Sequence, residues 1–578
     1  MIFRNILLSL AILFPVVLNA QVVEDFFKSA GTPVNPKVEV LWNRYYTNDG
    51  LEKIANQIQK AYPDLVQLES IGKSFEGREI WALTITSKKN GSELEKPGFY
   101  IDGNIHSNEV QGSEIALYTA WYLTENYDKN KFLTELLDDK VFYIIPTINP
   151  DARDNYMREV NSASTPRSGM MPVDDDRDGM IDEDGFDDID GDGNLTMMRR
   201  KSEYGKWKLD PSDSRRMIRV GADEFGDYEM LGYEGLDNDG DGRVNEDRTG
   251  YYDPNRDWGY NWQPDYMQRG AMPYPFYVPE NKAVRDFVIA HPNIAGAQTY
   301  HNTGGMILRG PAQKDFLEVY TREDELVINT IGERGDKMLP GYKFMLLWRD
   351  LYPVYGGEID WFYGSRGIYV FTNELFTSQM YFGNTYENRW DAQGDQYDFD
   401  KYLLFGDAWI DWKEFDHPDY GKIEVGGFNK NYGRPHPGFL LETDAHRNMA
   451  FTIYHAYQTP KISITDILVK NIGSGLQEVT VHILNERITP TRSGQNAKYN
   501  IDPKDLVVIE GVKSIAKMVV ENEDLNITTV QSGDPSIIQL ESIPGMSVVK
   551  VRFITEKSNK FKVGVKSAKG GHVWKQML

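Results

Sequence analysis

Gly98-Phe99-Tyr100-Ile101-Asp102-Gly103-Asn104-Ile105-His106-Ser107-Asn108-Glu109 reads as a strand, a turn and the opening of a helix. A helical pattern then runs from Glu109 towards Leu123. An imidazole and a carboxylate three positions apart sit at the junction, close enough to grip one metal ion. His-x-x-Glu pairs are common, so this one taken alone is a weak signal and reads more readily as an ordinary solvated loop.

Working outward, Leu51, Ile54, Ile58 and Tyr62 recur at helical spacing between Asp49 and Tyr62. Strand-like runs follow at Leu65 to Ile71, within Gly77 to Ile85, and at Val141 to Ile145, closed by Pro146. Helix and strand signals resume at Pro279 to Ala290, Gly296 to Leu308 and Arg366 to Phe371, ending with a helix near Asp444 to Tyr457. Strands alternating with helices predict an α/β sheet with helices on both faces. After Pro460 the period becomes two, as in Ile462 to Val469 and Val479 to Leu484, which predicts an all-β sandwich over residues 461–578. A length of 578 residues fits more than one core. The predicted α/β domain spans 40–460 and carries an acidic, glycine-rich insert over 170–252.

Charge and cysteine narrow the chemistry. The 63 Lys and Arg against 87 Asp and Glu give a net charge of -24, which argues against nucleic acid as a partner. With no cysteine, a metal site has to be built from His, Asp and Glu. Arg4, the apolar run Ile6 to Leu18 and the small residue Ala20 fit a signal peptide over 1–20, hence an exported protein, periplasmic or extracellular. No later segment is apolar enough to span a bilayer.

Three further segments bear on the His-x-x-Glu loop. His301 follows the apolar run Ile294-Ala295-Gly296-Ala297 and adjoins Gly304-Gly305, a sensible place for a third ligand to a catalytic zinc, although such a histidine taken alone is more often a hydrogen-bonded structural one. In Asp253-Pro254-Asn255-Arg256, a neighbouring Asn and Arg can clamp a carboxylate. The stretch Tyr352-Pro353-Val354-Tyr355-Gly356-Gly357-Glu358-Ile359, followed by Phe371-Thr372-Asn373-Glu374-Leu375, puts a carboxylate at a strand end downstream of a glycine turn.

These segments, with Ile71 to Arg78 and Asn149-Pro150-Asp151, stand in an order that resembles the M14 family of zinc carboxypeptidases, in a secreted bacterial form with a C-terminal β domain. The resemblance covers roughly Tyr46 to Tyr457. It implies a mixed sheet flanked by helices and hydrolysis at the carboxyl end of peptides or proteins by a metal-activated water. It also implies one zinc ion held by His106, Glu109 and His301. By the same resemblance Glu374 is the general acid/base, Asn255 and Arg256 bind the terminal carboxylate, and Tyr352 closes over the substrate. Ile359 would floor the pocket and favour an apolar terminal residue, though the neighbouring Glu358 leaves that preference open. The oxyanion-stabilising arginine is displaced by the insert; Arg167 is the candidate, with Arg158 and Arg199 behind it. The alternatives are a cell-wall peptide amidase or deacylase on the same site, or a non-catalytic peptide-binding protein. The partner of the β domain is left open.

The insert holds Asp174-Asp175-Asp176-Arg177-Asp178-Gly179, Asp188-Ile189-Asp190-Gly191-Asp192-Gly193 and Asp237-Asn238-Asp239-Gly240-Asp241-Gly242. Alternating acids closed by glycine form the first half of an EF-hand-type loop. The closing glutamate at position 12 is missing, since Gly185, Arg199 and Arg248 stand there. Glu183, Asp184, Glu246 and Asp247 are available to complete shorter loops. The expectation is structural calcium held by Asp174, Asp176 and Asp178, by Asp188, Asp190 and Asp192, and by Asp237, Asp239 and Asp241.

Overall fold

Eight strands form the central sheet: β1 (Val66–Lys73), β2 (Glu79–Ile85), β3 (Gly98–Gly103), β4 (Val141–Ile145), β5 (Ile294–Asn302), β6 (Met306–Arg309), β7 (Lys343–Leu346) and β8 (Tyr369–Leu375). They are seen in a computed structural model that describes residues 29–174, 177–377 and 395–577. The expected leader over 1–20 and the expected calcium ligand Asp176 lie outside the described residues.

The spatial order is β1-β2-β4-β3-β5-β8-β6-β7. β4, β3, β5 and β8 run parallel, with antiparallel strands on either side, so the sheet is mixed. Successive side chains on β3 and β4 point to opposite faces. Phe99, Ile101, Phe142 and Ile144 enter one core, packed with Ile54, Leu117 and Met449. Tyr100, Val141, Tyr143 and Ile145 enter the other, with Val284, Phe287 and Phe362. The strands look apolar throughout because both faces are covered.

The helices covering those faces include α1 (Asn48–Ala61), α2 (Gln111–Asn126), α3 (Pro150–Arg158), α4 (Pro279–Ala290), α5 (Arg322–Met338), α6 (Glu358–Arg366) and α7 (Gly438–Gln458). α2 is buried along nearly its whole length. It starts so close to β3 that a Cβ on Gly103 would lie 2.6 Å from the Gly112 carbonyl carbon. Helix α5 and strand β7 have no counterpart in the sequence reading, and α7 begins six residues earlier than predicted, just after Pro437.

The acidic insert is more ordered than its composition predicts. Met197–Gly205, Trp207–Leu209, Met217–Arg219 and Gly226–Tyr233 join Trp409–His417 and Gly421–Phe428 in a six-stranded antiparallel sheet. Met198, Ile423 and Val425 form its small core, with Ile189 and Val244 from the acidic loops packed against it. The loops at 174–184 and 237–247 pair with each other through the Asp184 N–H, which donates to Asp247 O at 3.0 Å. Glu183 and Glu246 therefore do not close their own loops alone. Glu183 clusters with Asp178 and Asp239, and Glu246 with Asp184 and Asp239.

From Ile462 onward, a five-stranded and a four-stranded antiparallel sheet share one core that includes Val481, Val507, Phe553 and Val563. This β region sits against the α/β region through polar contacts. Gly494 N donates to Asp324 Oδ2 at 2.8 Å, and Lys569 Nζ reaches both Asp502 at 2.7 Å and the Arg366 carbonyl at 2.6 Å.

Candidate metal centre

The loop after β3 carries His106 and Glu109, β5 carries His301, and β8 carries Glu374. The parallel β5–β8 pairing sets Glu374 directly beside His301. All four residues therefore gather where β3, β5 and β8 end, the usual place for a site in an open α/β sheet.

His106, Glu109 and His301 are buried. Glu109 Oε2 lies 3.0 Å from His106 Nδ1 and 2.9 Å from His301 Nδ1, and the two Nδ1 atoms are 3.2 Å apart. Such separations suit three donors each about 2 Å from one ion. The tautomer of His106 follows from its other side. Nε2 lies 3.0 Å from Asp253 Oδ1, and a carboxylate only accepts, so the proton belongs on Nε2. The Nδ1 lone pair is then left facing Glu109 and His301, as a metal ligand requires. Two imidazoles and one carboxylate, with no sulfur, form a donor set that fits zinc.

Charge around the cluster is balanced by arginines. Asp253 accepts from Arg167 Nη1 at 2.8 Å and lies 3.4 Å from Arg256 Nη2. Glu109 Oε1 lies 3.2 Å from Arg434 Nη1 and 3.9 Å from Arg167 Nη2. Nearby histidines hold the Glu109 carboxyl well below its usual range against the effect of burial. For Asp253, burial is outweighed by Arg256, Arg167 and His106, and its carboxyl too is held low. Glu374 goes the other way: burial, reinforced by Glu109, pushes it up to about 7.

The remaining predicted residues fall as follows. Asn255 and Arg256 occupy a single turn that Asp253 caps, its Oδ1 accepting from Asn255 N at 2.8 Å. Asn255 Oδ1 in turn accepts from Glu358 N at 2.8 Å, tying this turn to the start of α6. Tyr352, at 44% exposure, is open to solvent while its hydroxyl feels Arg256, Glu374 and Arg167. Ile359 is buried in the α/β core. Glu358 turns to Asp102, and burial together with that carboxylate raises it well above the usual range. An open hollow of about 290 Å³ adjoins Arg167 and Asp253, lined also by Tyr251 and Arg269.

Of the arginine candidates, only Arg167 faces the cluster. Arg158 pairs with Asp154 and Asp49, and Arg199 is stacked on Trp412 and paired with Glu424. Arg434 was not identified from sequence; it lies in the segment before α7, with no motif around it. Among the expected calcium ligands, Asp178, Asp188, Asp190, Asp237, Asp239 and Asp241 fall in acidic clusters. Asp174 and Asp192 fall in none of the clusters among the described residues, though like the clustered aspartates they accept local backbone N–H groups.

The geometry defines a candidate three-ligand metal centre beside the Glu374 carboxylate in a mixed α/β sheet. Residues 51–169 and 232–390 match the family profile described as Zinc carboxypeptidase, and the chain belongs to that family. The match skips residues 170–231, most of the acidic insert. Residues 461–577 match a domain of unknown function, DUF8731. Carboxypeptidase D of Anas platyrhynchos is 38% identical over 111 residues, 19% of this chain and 8% of that protein. The Inactive metallocarboxypeptidase ECM14 of Saccharomyces cerevisiae is 34% identical over 113 residues, 20% of this chain and 26% of that protein. The crystal structure of thrombin activatable fibrinolysis inhibitor aligns with 73% of this chain and 80% of its own at 17% identity and a TM-score of 0.42. The chain thus spans 8% to 26% of the length of these two curated relatives.

Proposed function

We propose that this chain is a zinc-dependent carboxypeptidase that removes residues from the carboxyl end of peptides. The observation that carries this reading is the buried convergence of His106, Glu109 and His301 beside Glu374. Zinc, when bound there, polarises the scissile carbonyl and lowers the pKa of a water towards about 7. Glu374 takes a proton from the attacking water and returns it to the leaving amine. Arg167 offers a guanidinium to the developing oxyanion. Asn255 and Arg256 hold the terminal carboxylate, Tyr352 folds over the bound peptide, and Ile359 lies at the floor of the pocket for the terminal side chain. Holding the substrate by its own carboxylate restricts cleavage to the chain end.

A peptide mixture incubated with the purified chain and read by mass spectrometry tests the reading. The expected products are ladders shortened one residue at a time from the carboxyl end. Internal cleavage, or binding without turnover, would remove the carboxypeptidase assignment. Export through residues 1–20 belongs to the same proposal; among the described residues no helix is long and apolar enough to cross a membrane.

Asp253→Asn probes the support of the centre. An amide oriented either way no longer fixes the proton on His106 Nε2 with a charge. Zinc affinity should fall about 10–100-fold, measured by competition with a chromogenic chelator. Unchanged affinity would show that Asp253 does not orient His106. Calcium is our proposed second metal, held in the acidic insert.

A further inference from the structure

Of the three acidic loops, Asp188 to Gly193 has a feature that its sequence does not reveal. Asp188 accepts from Asp192 N at 3.1 Å and Gly193 N at 2.8 Å, and Gly191 and Gly193 adopt φ of 69° and 84°. Those contacts make a tight acidic turn and nothing more. The distinguishing residue is Glu234, 41 positions after Gly193 and directly following the strand Gly226–Tyr233. It is only 1% exposed. One of its carboxylate oxygens, Oε1, accepts from Thr196 N and Thr196 Oγ1, both at 2.7 Å. The other, Oε2, is equally shut off from water and has no hydrogen-bond partner. The Glu234 carboxylate clusters with those of Asp188 and Asp190, with donor atoms within 4.8 Å of one another.

A buried carboxylate facing two others is costly unless a proton or a cation sits among them. Burial pushes Glu234 up to about 7, and Asp190 and Asp192 add to the shift. The lysine that reaches this loop, Lys413, stops 4.0 Å from Asp192 with its side chain 59% exposed. It neutralises little of the charge at Glu234.

We propose that Asp188, Asp190 and Glu234 hold one calcium ion. Glu234 supplies, from a neighbouring strand, the closing carboxylate that the loop lacks at position 12, where Arg199 stands. An all-oxygen donor set with no imidazole or thiolate selects a hard cation. A glycine-bent loop of irregular geometry suits calcium, which tolerates variable coordination, better than magnesium, which demands a near-ideal octahedron. The ion ties the 188–193 loop to the strand ending at Tyr233 and so braces the insert's sheet. Nothing in this assignment depends on the zinc chemistry.

The test uses the full-length zinc-loaded chain, passed over a calcium-binding resin and equilibrated with calcium chloride in excess magnesium. Bound calcium per chain is counted by atomic spectroscopy for the unsubstituted chain, Glu234→Gln and Asp190→Asn. Each variant should bind one calcium fewer, and calcium should raise the melting temperature of the unsubstituted chain more than that of either variant. If Glu234→Gln fails to fold, Asp190→Asn, in a surface turn, decides the matter. Equal calcium counts across the three proteins, or none in the unsubstituted chain, would overturn the site and leave Glu234 as a buried neutral acid.

Discussion

Glu374→Gln should lower kcat by about 10²–10⁴-fold, with zinc content and melting temperature unchanged. The amide keeps the size of the side chain and its place beside His301 on β8 but cannot carry a proton between water and leaving amine. Glu374 is half-buried, so water can reach it while the sheet still holds it in place. Its raised carboxyl, near 7, also sets a pH dependence. A base must be ionised, so kcat/KM should fall as pH drops through the carboxyl's pKa. The positive charge of a bound metal shifts that limb to lower pH. The residual activity of Glu374→Gln should lack this limb. Loss of zinc in the variant would assign Glu374 to metal binding instead, and full activity would end its role as base.

What the sequence made legible depended on how local each signal was. β3, β4 and β5 stood out because burial on both faces leaves a continuous apolar run. His106, Glu109 and His301 came together as a candidate set only through the ordered motifs that carry the family resemblance, since the short polar motifs taken singly left a solvated loop and a structural histidine open. Arg434 was not readable: its contact with Glu109 spans 325 positions, and only the folded chain brings the two together. The insert's sheet was hidden for a related reason. Strands such as Met197–Gly205 carry Arg199, Arg200 and Lys201 in succession and alternate only weakly, being half-exposed. They become strands by pairing with Gly421–Phe428, more than two hundred residues away. Glu234 follows the same rule; its significance lies in burial and in an unpaired oxygen, neither of which a motif encodes.

The largest stability effect should come from Arg153→Met. Arg153 and Glu114 form an ion pair at 2.7 Å with both side chains fully buried. Arg153 also donates to Asn104 Oδ1 and Val110 O, each at 2.9 Å, and to Tyr46 O at 2.7 Å. Burial alone pushes the Glu114 carboxyl up and the Arg153 guanidinium down, and each charge holds the other in place. Removing one partner strands the other, a loss of about 3–5 kcal/mol. Urea unfolding at fixed zinc concentration measures it, and adding Glu114→Gln to Arg153→Met should recover much of the loss. A cost near 1 kcal/mol, the scale of an exposed pair, would mean that water already screens this one. The same guanidinium grips both ends of the segment from Asn104 to Val110, which contains His106 and Glu109. Arg153→Met should therefore weaken zinc binding as well as the fold. The double variant should regain stability more fully than zinc affinity, because Glu114→Gln removes the stranded charge but cannot replace the bonds to Asn104 and Val110.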